Sequence, residues 1–302
     1  MPNSAMQSRW LAGNLMISEP EIGPGNYFYV DSTNGAAGNT GLTWSQAMAT
    51  IDQAVNKCTA SNGDKIIVAP YHAENLAADS AVDVDVAGVE VIGLRSGQLR
   101  PTLTNTAEAG DFKLAAAGCS VRGIRFSGGI DVGTGIIEVS ADDCSIIDCE
   151  YVDTVGEATD VIMGVAASHL LIDGFEFRGA AAAGANSAIA LNACPYFHLK
   201  NFSIYGNFAV GAVDFRTAAS TLVKIHSGKI WTANAADLAI MDTITGSTGF
   251  IGPDLQIMLA DNAANITTAV TGATFVLFDP VYVCNLAGEK GMLINWTAST
   301  HA

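Results

Sequence analysis

A short phrase returns every 25 to 27 residues through the middle of this chain. It reads Cys119-Ser-Val-Arg-Gly-Ile-Arg-Phe126, then Cys144-Ser-Ile-Ile-Asp-Cys-Glu-Tyr151, then Leu170-Leu-Ile-Asp-Gly-Phe-Glu-Phe177. Looser copies occupy 197–204 (Phe-His-Leu-Lys-Asn-Phe-Ser-Ile) and 223–230 (Val-Lys-Ile-His-Ser-Gly-Lys-Ile). The last residues of the five phrases, Phe126, Tyr151, Phe177, Ile204 and Ile230, stand 25, 26, 27 and 26 positions apart. A fixed period in this range marks a repeat architecture. Because the units alternate like strands, the expected product is an all-β, single-stranded parallel β-solenoid, which grows by adding rungs and forms a rod.

Size and composition agree with one long domain. The 302 residues are 49% hydrophobic and only 15% charged, with 31 glycines, far from the makeup of a disordered chain. Fourteen Lys and Arg against 30 Asp and Glu leave a net charge of −16, which repels phosphate backbones and anionic membranes, so no nucleic-acid or membrane partner is expected. No secretory signal is visible in the first ten residues, and no apolar run reaches the ~18 residues of a membrane span. The six cysteines (58, 119, 144, 149, 194, 284) lack metal-ligand spacing. They are read as reduced, inward-facing small residues, with a stacked Cys119–Cys144 disulfide as the lesser alternative.

Four segments are expected. Residues 1–26 carry no period and form an irregular anchoring arm, read as held by a partner through Arg9, Trp10, Leu11, Met16 and Ile17. Residues 27–75 form an N-terminal module: a strand from Tyr27, a capping box at Thr43 and Gln46, and an amphipathic helix over about 44–59 as a lid on the open end. Rungs fill 76–246, and 247–302 hold the last rungs with a C-terminal cap or subunit contact.

Part of this module resembles a known family. Tyr-Val-Asp-Ser-Thr-Asn-Gly at 29–35, Gly-Leu-Thr-Trp at 41–44, Ala-Thr-Ile-Asp-Gln-Ala-Val at 49–55 and Gly-Asp-Lys-Ile-Ile-Val-Ala-Pro at 63–70 are similar to the opening of right-handed parallel β-helix proteins of the pectin-lyase-like superfamily. Where that family has a glycine after Ala-Pro and then Thr-Tyr, this chain has Tyr71-His72. The resemblance spans roughly residues 27–245, and it is a fold signature that hosts unrelated functions. Proteins with such modules include bacteriophage virion components and polysaccharide-active enzymes, and homotrimers are implied by analogy with the phage members.

Stacking the phrases about 4.8 Å apart places two columns on the outside. One is read as Arg122, Asp148, Asp173, Lys200, His226, the other as Arg125, Glu150, Glu176, Ser203, Lys229. If the chain is an enzyme, the four carboxylates Asp148, Glu150, Asp173 and Glu176 are its candidate catalytic groups, as paired acids for glycoside cleavage. Carboxylate oxygens in such a patch also suit Ca²⁺. The plainer reading is a solvated face whose arginines and lysine offset those charges, and no Trp or Tyr platform for a sugar accompanies it. The five histidines are scattered without metal spacing and are read as structural. No metal or cofactor is expected.

The resulting expectation is a non-enzymatic structural protein on the exterior of a phage virion. It would be a capsid decoration, cement or head-fibre protein, trimeric, with the major capsid protein or another virion protein as partner and a host-surface glycan as a further one. The alternative is a tailspike-type or secreted polysaccharide-degrading enzyme.

Overall fold

The computed structural model describes residues 10–11, 15–16, 25–128, 130, 135–153, 160–179, 184–233, 238–244, 246–260, 270–271, 274–277, 281–285, 288 and 290–293. Each turn of the chain lays down three short strands, for example Ile137–Val139, Ser145–Ile147 and Glu150–Asp153. Each pairs in parallel with its counterpart one turn later, so the chain is a parallel β-solenoid. Two of the three runs share one 18-stranded sheet, and the third forms an eight-stranded sheet.

The register follows the phrase. Phe126 faces Tyr151, Tyr151 faces Phe177, Phe177 faces Ile204 and Ile204 faces Ile230, all buried. Val121, Ile146, Ile172, Leu199 and Ile225 make a second inward column, and Phe112, Ile137, Ile162, Ile189, Val213 and Ile240 a third on the opposite sheet. Short strands suffice because every rung buries its apolar slots on the rung before and after it. Between the Val121 column and the Phe126 column the chain turns a corner, and one residue per rung takes a left-handed conformation there. These are Gly123, Asp148, Gly174, Asn201 and Ser227, with φ of 68°, 48°, 75°, 53° and 52°. Glycine, Asn and Asp tolerate that region best, so the corner selects their type.

Polar tethers also cross rungs. Arg216 forks onto both carboxylate oxygens of Asp160, at 3.0 Å each, and also reaches Ser187 and Asp214. Such bidentate pairing is what lets buried carboxylates sit beneath the sheet surface.

The N-terminal module differs from expectation in one detail. Thr43 makes no side-chain cap, and the helix is the single α-turn Ile51–Val55. The cap is Thr50, which accepts the Gln53 N–H at 3.3 Å, while the Gln53 carboxamide oxygen accepts the Ala49 N–H. Ile51, Ala54 and Val55 are buried against the first strands. All six cysteines are free thiols, which settles the Cys119–Cys144 alternative. No helix among the described residues is long and apolar enough to cross a membrane. Of the proposed partner contacts, Trp10–Leu11 pairs antiparallel with Leu15–Met16; Arg9, Ile17 and the side chains of Trp10, Leu11 and Met16 lie outside the described residues.

Two buried polar groups yield predictions. The Tyr151 hydroxyl has no hydrogen-bond partner among the described residues, and burial pushes its pKa up. Its column neighbours Phe126 and Phe177 fill the same slot without a hydroxyl. Tyr151→Phe is therefore expected to leave stability unchanged or raise it by up to ~1 kcal/mol in chemical denaturation, since it removes a desolvated, unpaired group.

Asp111 is fully buried, and desolvation raises its pKa from 3.8 to about 6, with Asp79 and Glu138 adding to the rise and Lys113 and the Ser80 N–H opposing it. The unfolded chain releases this proton near 3.8 and the folded chain only near 6. Over that window the fold holds the extra proton, so stability declines as pH rises from about 4 to about 6 and stays lower above it. Asp111→Asn keeps an oxygen for Ser80 and is expected to gain about 1–3 kcal/mol at pH 8 but little at pH 4, read from denaturation midpoints at both pH values.

Candidate functional site

Slots two and four of each phrase face outward on one run of the large sheet. Slot four reads Arg122, Ile147, Asp173, Lys200, His226. Asp148 does not belong to this column, contrary to the sequence reading. It is the corner residue, where backbone shape selects it, and its side chain is 71% exposed with Arg100 at 3.4 Å. Glu150 does face Glu176 in the other column, yet it is buried and clamped by Arg125 and by Arg178 at 2.7 Å. Arg178 holds Glu176 as well, at 3.0 Å. These two carboxylates are therefore engaged in ion pairs rather than poised as an acid and a base. No cluster of three or more metal-ligating side chains occurs among the described residues.

Asp173 is different, because it sits beside the histidines. Although burial opposes ionisation, hydrogen bonds from Asn201 (2.8 Å) and Lys200 (3.1 Å) hold its pKa below the ordinary carboxylate value. It is an anion fixed between two rungs.

His198 in slot two of one phrase and His226 in slot four of the next meet diagonally, Nε2 to Nε2 at 2.8 Å. His226 Nδ1 lies 2.8 Å from Ser227 Oγ. Burial lowers both pKa values below 6.5, helped by the ammonium groups of Lys224 and Lys200, with Asp173 acting in the opposite sense. Both rings are therefore neutral at pH 7. Two tautomer arrangements satisfy these contacts. In one, Ser227 Oγ–H donates to His226 Nδ1 and His226 Nε2–H to His198 Nε2. In the other, His226 Nδ1–H donates to Ser227, His198 Nε2–H donates to His226 Nε2, and the lone pair is left on His198 Nδ1. That nitrogen has no hydrogen-bond partner among the described residues. A neutral, oriented imidazole beside two ammonium groups and a fixed carboxylate suits proton abstraction next to a bound anion.

Sequence reasoning missed this pair because spacing was sought within helices and hairpins. The available signal was the phrase itself, since slots two and four on consecutive rungs are diagonal neighbours.

No family model matches the chain, and no curated protein matches it. Two solved structures are similar in fold. A rhamnogalacturonan lyase aligns over 90% of this chain and 90% of its own, with 11% identity and a TM-score of 0.46. A GH136 lacto-N-biosidase from Eubacterium ramulus aligns over 86% of this chain and 67% of its own, with 8% identity and a TM-score of 0.41. Both are enzymes, and neither is named as a phage protein. This corrects the expectation that the chain is not an enzyme: a rod of this form is no ground for excluding catalysis.

Proposed function

We propose that the protein is a polysaccharide-degrading β-helix enzyme that takes an acidic glycan and cleaves it by β-elimination at His198. The observation that carries this reading is the neutral His198–His226 pair flanked by Lys200 and Lys224, a cationic group on a strongly acidic chain. In a uronate the C5 proton is acidic because it lies next to the carboxylate. Lys200 and Lys224 stabilise the charge that develops on that carboxylate, and His198 Nδ1 takes the proton. The C5–H electron pair becomes the C4=C5 double bond, the C4–O bond breaks, the leaving oxygen takes a proton from water, and the hydroxide so formed takes the proton from His198, restoring the base. His226 positions the ring and accepts its other N–H throughout.

The test is incubation with polyuronates and with neutral polysaccharides, following the ultraviolet absorbance of the unsaturated product. Absorbance is expected with a polyuronate only, and its absence from every acidic glycan tried would sink the proposal. A tailspike-type placement accommodates the same chemistry. In that placement residues 1–26 attach the chain to another virion protein and three copies assemble, and light scattering that gives a monomer counts against it.

A further inference from the structure

Two rungs beyond Glu176, the last carboxylate of the acidic patch, the large sheet carries a groove of about 580 Å³. Its floor is made of two outward columns, Lys229–Gln256–Tyr282 and Trp231–Met258–Cys284, each residue one rung from the next. Its wall is the strand Lys290–Leu293, which runs antiparallel to Val281–Asn285 and sets Lys290 beside Cys284. Trp231 and Tyr282 are 46% and 52% exposed, like Tyr71, Tyr196 and Phe250 elsewhere, but these two rings line one groove. Tyr205 meets the Trp231 ring edge-on at 5.3 Å and fixes its tilt. By the rung spacing, Trp231 and Tyr282 stand about 10 Å apart along the rod, a span for an oligosaccharide rather than a single ring.

We infer that this groove is a glycan subsite that seats an acidic oligosaccharide, with Trp231 and Tyr282 as stacking faces and Lys229 and Lys290 as the charge contacts. The inference rests on the proposed function for its direction. His226 and Trp231 lie on one continuous segment, Val223–Thr232, on either side of the Ser227 corner, so a chain leaving the histidines turns that corner to reach the groove. Charge selects the occupant: the two lysines are paired with no carboxylate among the described residues, on a protein of net charge −16. Flat apolar rings edged by donors fit a pyranose, whose faces are apolar and whose rim is hydroxylated. The aromatic platform absent from the acidic patch is thus present further along the same face.

The test uses the full chain carrying His198→Ala, so that ligand is not consumed. It is titrated with tetragalacturonate and with maltotetraose, read by calorimetry and tryptophan fluorescence. Saturable binding of tetragalacturonate is expected, weakened about tenfold by Trp231→Ala or by Tyr282→Ala, a loss typical of one buried aromatic contact. Binding untouched by either substitution, equal affinity for maltotetraose, or no binding of tetragalacturonate would each overturn the inference. A groove substitution that changes the oligomeric state and leaves sugar binding intact would overturn it too, by making the occupant a second copy. Both side chains are exposed, so folding is expected to survive, checked by circular dichroism. The two proposals fail separately: product formation without a groove effect removes only the subsite, and groove binding without product removes only the lyase reading.

Discussion

Phe177→Ala is expected to destabilise the protein by about 3–5 kcal/mol in chemical denaturation, the range for truncating a buried aromatic. Phe177 is 1% exposed and lies at the middle of the aromatic column. Its ring stacks on Tyr151 at 5.3 Å and an 18° interplanar angle, and meets Phe208 at 5.5 Å. It fits only because its neighbours are glycines: a Cβ at Gly179 or Gly206 would come within 2.5 or 2.7 Å of the ring. The cavity left by truncation therefore has rigid backbone on two sides and closes poorly. In a solenoid each rung is stabilised by the next, so the effect is expected to reach past one turn and lower the cooperativity of unfolding. A loss below about 1 kcal/mol would mean that the column does not carry the rod.

His198→Ala is expected to lower kcat on the responsive polyuronate by about 10²–10⁴-fold, the usual contribution of a positioned general base. His226→Ala is expected to lower kcat less, because His198 keeps its lone pair and loses only the acceptor that sets its tautomer. Lys224→Ala should act chiefly through KM, because it removes charge facing the bound carboxylate. The pH profile separates these roles from a structural one. Burial and the neighbouring cations hold the His198 pKa below 6.5, so the acid limb of the wild-type profile should fall below that value as the imidazole takes up its proton. An acid limb above 6.5, or His198→Ala retaining activity, would remove His198 from the base position.

The fold was legible because a solenoid writes its register into the spacing of like residues. The inward column Phe126–Tyr151–Phe177–Ile204–Ile230 and the outward column Arg125–Glu150–Glu176–Ser203–Lys229 stand as the phrases align them. The eight-stranded sheet was not read from the sequence, although its inward column Phe112, Ile137, Ile162, Ile189, Val213 and Ile240 keeps nearly the same period. Its strands share no repeated wording beyond that apolar position, so they do not stand out as a phrase.

At the site, the four carboxylates were conspicuous by charge, but charge does not tell a free acid from a clamped one. Glu150 sits between two arginines, one of them, Arg178, 28 residues away. Asp148 was assigned to a chemical column when its slot demands a left-handed backbone. His198 and His226 became a pair only once consecutive rungs were laid side by side. The non-enzymatic expectation rested on single phrases, whereas the proposed chemistry depends on a diagonal contact between phrases.

The most direct measurement is the mass of the products formed from a polyuronate in heavy-oxygen water. β-Elimination predicts one unsaturated fragment per cleavage, lighter by one water than the hydrolysis product, with no solvent oxygen in that unsaturated fragment beyond exchange at a reducing end. Two saturated fragments whose masses together exceed the substrate by one water would mean hydrolysis and would contradict the assignment of His198 as an elimination base.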